Sequence, residues 1–441
     1  MKNSKLILAA IAMSAPFAQA VTVNITGSTA FRSVTHAAIV AAFDAGTCTA
    51  AVQTGTTTAT AATASQLSGA GKVCFKGTIG AVAHTVNCNW SGSINGLKDV
   101  KASPATTAGW VDPATATFGA CNGTSTFGTA KSNNATVSVT PTVACSDVYA
   151  DSAIALDPTV AGVTFEEAIG GVIPFKWVAQ ESALNANITN ITDQLHELLF
   201  SGGTVDLSVV TGNPADAGNT VYATGRDNGS GTRGTQLAET RYGVARIVAQ
   251  YRPSTVVAAT ATLPGLNGSI AELRVWPGTA QEASPPANTL NHANEGNGGF
   301  TSGGSVANAL SSTMAATVTL KNGTGTTLGT VPGSSIILVA HLGLGDALTA
   351  VNNGGKELTY NGVAFSTDNV RNGKYTEWGY LHVYNKAGTL STGANSQTSV
   401  RDAIIAQMGA NMQPFGAAAP SGIDVNTMLV SRSEDGGLVG P

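Results

Sequence analysis

The chain has 441 residues, a length that suits two or three domains, and only 11% of them are charged. Its 22 Lys and Arg against 26 Asp and Glu leave a formal net charge of −4, with no basic patch of the kind nucleic acid requires. No stretch is long and apolar enough to be read as a membrane helix.

Lys2 and Lys5 precede an apolar run from Leu6 to Ala12, and Ala18-Gln19-Ala20 has the form of a signal-peptidase site. Residues 1–20 therefore read as a signal peptide cleaved after Ala20, which makes the protein periplasmic or secreted. Val21-Thr22-Val23-Asn24-Ile25 alternates as a strand, Gly27-Ser28-Thr29 turns, and Ala30 to Asp44 reads as a helix striped by Phe31, Val34, Ala38, Ile39 and Ala42. Residues 46–72 and 101–135 are rich in Thr, Ala and Gly and read as inserted, weakly structured loops. Between them, the segment from Asn87 to Leu97 is a short strand, a Gly/Ser turn and a helix start. Val137 to Ala144 alternates as a strand that delivers Asp147 at its end.

Ile169 to Ala179 reads as a buried strand with a glycine pair. Thr192 to Ser201 reads as a helix with Leu195, Leu198 and Leu199 on one face. Residues 255–295 read as loop-rich, and Gly304 to Ala315 as a helix. Strands follow at Ser335–Ala340, Leu358–Val363 and Tyr380–Tyr384, and a helix at Val400–Met412. Strands alternating with helices predict an α/β fold. The five cysteines, Cys48, Cys74, Cys88, Cys121 and Cys145, allow at most two bridges, of open connectivity. They are expected to staple the inserted loops. A metal site is disfavoured, because there is no C-x-x-C pair and no His at ligand spacing.

One stretch carries most of the chemistry: Gly225-Arg226-Asp227-Asn228-Gly229-Ser230-Gly231-Thr232-Arg233-Gly234. A glycine-bracketed turn aims backbone N–H groups at one point. The helix that follows adds the positive end of its dipole, and the guanidinium adds two parallel donors. By itself such a turn is most often a plain loop. Three other strand-end turns carry small hydroxyl or acidic residues, at 27–31, 91–96 and 145–147. In open α/β sheets, ligands sit at the carboxyl ends of strands. Converged on one cleft, these turns would surround an oxyanion.

At these residues the chain resembles the phosphate-binding proteins of bacterial ABC importers, which are type II periplasmic binding proteins. Ile25-Thr26-Gly27-Ser28-Thr29-Ala30-Phe31 resembles the family's first strand and turn, with Ser28 or Thr29 as hydroxyl donor and Ala30 and Phe31 contributing backbone. Ser91-Gly92-Ser93-Ile94-Asn95-Gly96 resembles the second serine turn, with Ser93 the better match and Ser91 the alternative. Ala144-Cys145-Ser146-Asp147 resembles the segment supplying the ligand aspartate. Arg226 with Ser230-Gly231-Thr232 matches the R-x-x-G-S-G-T signature. Outside the site, Ile169-Gly170-Gly171-Val172, Leu198-Leu199-Phe200-Ser201-Gly202 and Gly373-Lys374-Tyr375 resemble further family segments in the same order.

The resemblance implies an α/β, two-lobed fold with a hinge and an interlobe cleft. Lobe I would be residues 21–168 and 335–441, and lobe II residues 169–334. It also implies inorganic phosphate as ligand, an ABC permease as partner, and no cofactor. Asp147 would accept the proton that phosphate keeps at neutral pH and that sulfate lacks, and Arg226 would neutralise the anion with a fork that Lys cannot offer. One position departs from the family pattern: where an acidic residue often follows two places after the arginine, this chain has Asn228. Arg233 reads as a structural ion-pair residue, and Trp177 and Trp378 as packing residues.

An enzyme is disfavoured. Ser230 lacks the glycine two places before it that a G-x-S-x-G elbow needs, and no G-K-[ST] follows the glycines. Two other readings stand beside phosphate binding. One is a secreted or surface structural or adhesive protein that reuses the fold. The other is a binding protein for another oxyanion.

Overall fold

The computed structural model describes residues 20–53, 69–121, 129–130, 136–257, 260–277, 295–413, 417 and 420–441. The expected signal peptide, Ala20 apart, lies outside the described residues. So does the Thr-rich run 54–60. The architecture is α/β, as expected. Fourteen described strands form one sheet, and five more form a second sheet.

The first strand, β1 (Thr22–Gly27), lies parallel between β3 (Val82–Asn89) and β4 (Val143–Ser146). Its two neighbours satisfy both of its edges, and helices pack against it, so only Thr22 is exposed. β2 (Lys72–Ile79) forms a hairpin with β3 and pairs outward with Thr49–Gln53. Thr49–Gln53 falls in the stretch read as a weakly structured loop, yet Ala50, Ala51 and Val52 are buried. Small side chains that cost little to order fit there under tertiary pressure, which overrides low local propensity. The helices α1 (Arg32–Ala42) and α2 (Ser93–Lys101) follow β1 and β3, as expected.

The strand β5 (Phe165–Ala179) ties the molecule together. It pairs antiparallel with β9 (Trp378–Lys386) over Phe165–Pro174 and with β7 (Ile336–Gly343) over Phe175–Ala179. β7 in turn pairs with β6 (Thr220–Ala223), and β8 (Lys356–Tyr360) pairs with β5. One core cluster therefore holds β1, β2, β3, α1 and the helix α6 (Gln397–Met408). Two others hold β6, β7 and β8 together with α5 (Leu344–Asn352). Residues 336–377, assigned from sequence to the first lobe, thus pack with the second half. Trp177 and Trp378 are fully buried packing residues.

Two further differences from the sequence reading have physical causes. Residues 255–295 were expected to be loop-rich, but Tyr251–Val257, Thr260–Thr262 and Ser269–Val275 are strands of the second sheet, joined by Thr313–Lys321 and Thr327–Pro332. Cross-strand partners supply the order that Pro253 and the nearby glycines hide. Leu198, expected on the buried stripe of its helix, is 46% exposed, while His196, Leu199 and Phe200 face the core. A disulfide joins Cys48 to Cys121, linking the two inserted regions, and Cys74, Cys88 and Cys145 are free and buried.

Candidate functional site

The site is built where the strand ends meet. β1 ends at Gly27, whose φ is +112°. A side chain there would collide with the carbonyl of Cys145. That absence of a side chain lets Ser28 N donate to Cys145 O at 2.7 Å, while Gly92 N donates to Gly27 O at 2.8 Å and Ile94 N to Gly229 O at 3.2 Å. Backbone bonds therefore stitch the turns at 27–31, 91–94, 145–147 and 226–232 into one constellation.

Asp147 lies at its centre and is 1% exposed. Ser93 Oγ donates to its Oδ1, Thr232 Oγ1 to its Oδ2 at 3.3 Å, and Thr235 Oγ1 to its backbone carbonyl at 3.2 Å. Burial pushes the Asp147 carboxyl above the usual range, and the Ser93 hydroxyl, the Arg226 charge and the Thr232 hydroxyl oppose that shift. Gly231 packs so closely that an added Cβ would overlap both Asp147 Oδ1 and Ser93 Oγ. The two serines of the second turn have different partners. Ser91 Oγ bonds Thr26 Oγ1 at 2.9 Å and Asp99 at 3.3 Å, away from Asp147.

Two helices start at this constellation, α2 and α4 (Gly231–Glu239). Their N-cap positions, Gly92 and Ser230, provide no capping side-chain bond. Ser230 is 1% exposed, and its Oγ has no partner among the described residues. Asn228 Oδ1 is in the same condition. Leaving such a group buried and unpaired costs about 1–3 kcal/mol, so its persistence calls for a reason. The positive end of a helix beside it makes an acceptor-rich anion the fitting partner.

Arg226 is 4% exposed and donates from Nε to Phe300 O at 3.1 Å and from Nη2 to Thr301 O at 2.8 Å. Two backbone carbonyls thus orient it where the resemblance offered an acid. Asp227 Oδ1 accepts from Gly229 N at 3.1 Å and shapes the turn. Sequence reasoning missed the Phe300–Thr301 segment, and a contact 74 residues away leaves no local signal. Arg233 Nη1 donates to Asn297 O at 2.7 Å and to Arg226 O at 3.4 Å, and its Nη2 donates to Asn297 Oδ1, so its contacts are structural.

The first turn differs from the rest. Ala30 N donates to Ser28 Oγ at 3.2 Å and Phe31 N to Ser28 O at 3.4 Å, so both amides are engaged inside the turn. The Phe31 ring belongs to the core. Thr29 and Ala30 line a cavity of about 290 Å³ together with Arg32, Ile173, Asp346 and Ser421. The structure thus gathers Ser28, Ser93, Asp147, Arg226, Ser230, Gly231 and Thr232 at the four turns and leaves Thr29 and Ala30 at the edge of a neighbouring cavity. No cluster of metal-ligating side chains occurs among the described residues, and no described helix is long and apolar enough to cross a membrane.

No protein-family model and no curated protein matches this sequence. Among solved structures, the chain is similar to one assigned as a phosphate ABC transporter substrate-binding protein of Clostridium perfringens with bound phosphate (12% identity, 87% of this chain and 92% of that one, TM-score 0.40). It is also similar to an ABC-type phosphate transport receptor from Vibrio cholerae (11% identity, 87% and 93%, TM-score 0.40) and to PstS from Borrelia burgdorferi (14% identity, 89% and 93%, TM-score 0.35).

Proposed function

We propose that this protein binds inorganic phosphate outside the cytoplasm, in the cradle formed by Ser93, Asp147, Arg226, Ser230, Gly231 and Thr232, for import through an ABC permease or for scavenging. The observation that carries this reading is the buried Ser230 hydroxyl, unpartnered at the uncapped start of α4 and beside a carboxylate. A phosphate oxygen would satisfy Ser230 Oγ and the first-turn amides of α4, and Arg226 would balance its charge. Asp147 supplies what sulfate cannot use, an acceptor for the proton of the bound anion. A buried carboxylate facing an unprotonated anion is penalised, so the same residue that favours phosphate disfavours sulfate. The Cys48–Cys121 disulfide fits an oxidising compartment.

Calorimetry on the purified protein tests this directly. Phosphate is expected to bind and sulfate to bind at least about 100-fold more weakly, a gap of ~2.8 kcal/mol. Asp147→Asn is expected to narrow that gap by about tenfold or more. Failure of both anions to bind removes the proposal, and equal binding of both removes the role of Asp147.

A further inference from the structure

Residues 420–441 contribute no group to the cradle, yet they clasp it from behind. Ile423 exchanges two backbone hydrogen bonds with Val172 on β5, at 2.8 and 2.9 Å. The chain then closes a hairpin through Ser431 and Gly440. Inside the hairpin, Arg432 forms an ion pair with Glu239, and the two side chains are 1% and 3% exposed. Arg432 Nη2 also donates to Thr376 O at 2.9 Å, and its guanidinium sits 3.7 Å from the centre of the Trp378 ring. Gly436 N donates to Glu239 Oε1 at 2.8 Å. On the opposite side, Tyr149 N donates to Asp435 Oδ2 at 2.8 Å and Tyr149 Oη donates to Arg432 O at 2.9 Å.

The two anchor points matter because of what lies at their other ends. Glu239 is the last residue of α4, whose first residues are Gly231 and Thr232. Tyr149 is two residues beyond Asp147 and is the N-cap of the helix α3 (Ala150–Leu156). A nine-residue helix behaves as a rod, so a shift of Glu239 is transmitted to Gly231. Gly231 has no room for even a methyl group against Asp147.

The geometry points to Arg432 and Asp435 as positioning residues that set the spacing between Asp147 and the Ser230-Gly231-Thr232 turn. This inference rests on the cradle being the phosphate site. It requires the hairpin to act through Glu239 and Tyr149, since neither Arg432 nor Asp435 belongs to the cradle.

The test uses the full-length protein carrying Asp435→Asn and, separately, the charge-neutral pair Arg432→Met with Glu239→Gln. Amide hydrogen exchange without ligand is expected to speed up at least tenfold at residues 148–150 and 231–234 relative to β1, and phosphate Kd to rise at least fivefold. Exchange that speeds up evenly over the molecule, or a lower melting temperature with unchanged Kd, overturns the proposal. If the paired variant fails to fold, the half-buried Asp435→Asn decides alone. If the unaltered protein binds no phosphate, the functional reading falls, and the exchange pattern still decides whether the hairpin positions these turns.

Discussion

Ser230 and Ser396 occupy the same position at the start of a helix and do different things. Ser396 accepts from Ser399 N at 3.2 Å in a reciprocal capping box, and Ser366 and Ser302 cap their own helices in a similar way. Ser230 caps nothing. At the periphery the fold uses serine to satisfy helix amides from within. At the meeting point of the four turns Ser230 gives the amides of its helix no side-chain cap, and its own hydroxyl has no partner among the described residues. The difference lies in the partner, since the residue type is the same.

The largest expected effect comes from crowding the Asp147 carboxylate. Gly231→Ala places a methyl group on the Asp147 carboxylate, and phosphate Kd should weaken about 100-fold or more, ~2.8 kcal/mol by calorimetry. Retained affinity would show that the anion sits elsewhere. Next, Ser230→Ala should weaken phosphate binding about tenfold while leaving the ligand-free protein no less stable, because it removes an unpaired buried hydroxyl. Ser396→Ala should do the reverse, costing about 1 kcal/mol of stability with Kd unchanged. If denaturant melts show both variants equally destabilised, Ser230 is an ordinary cap and the contrast disappears.

A test of stability alone, which leaves the anion site untouched, concerns the helix behind Ser230. Gln236 on α4 contacts His196 at 3.0 Å, and burial depresses the imidazole from its usual 6.5 to about 3, with His341 adding to the shift. A base with a depressed folded pKa adds stability that is present above the unfolded value and lost as pH falls toward the folded one. Stability should therefore decline between about pH 6.5 and pH 3, by at most ~1.4 kcal/mol per pH unit from this group. His196→Phe, which keeps the stacking on Phe200, should flatten that part of the acid-unfolding curve. An unchanged curve would assign the acid sensitivity to other groups.

Much of the constellation was legible because small residues at strand ends leave a local signature. The turns at Gly27, Gly92 and Gly231 and the strand-end position of Asp147 could be read from strand and turn patterns, their grouping came from the resemblance, and all four are joined in the structure. What escaped reading depends on distant partners. Arg432 meets Glu239 across 193 residues, and Asp435 meets Tyr149 across 286, in a segment without hydrophobic periodicity. The pairing of β7 and β8 with the second half was hidden for the same reason, because a buried strand does not state which neighbour it will take.

The strand β5 has a mechanical consequence. Its first nine paired residues belong to β9 and its last five to β7, so the frontier between the two halves crosses a strand at Pro174–Phe175. A frontier between strands could open by breaking a ladder of hydrogen bonds. A continuous ribbon crosses this one, and each ladder stays on its own side of it. The register irregularity between Ile169 and Gly171 gives that ribbon a place to bend. Asp147 follows β4, which pairs with β9, and Ser230 follows β6, which pairs with β7, so the two ends of one strand each carry one side of the constellation.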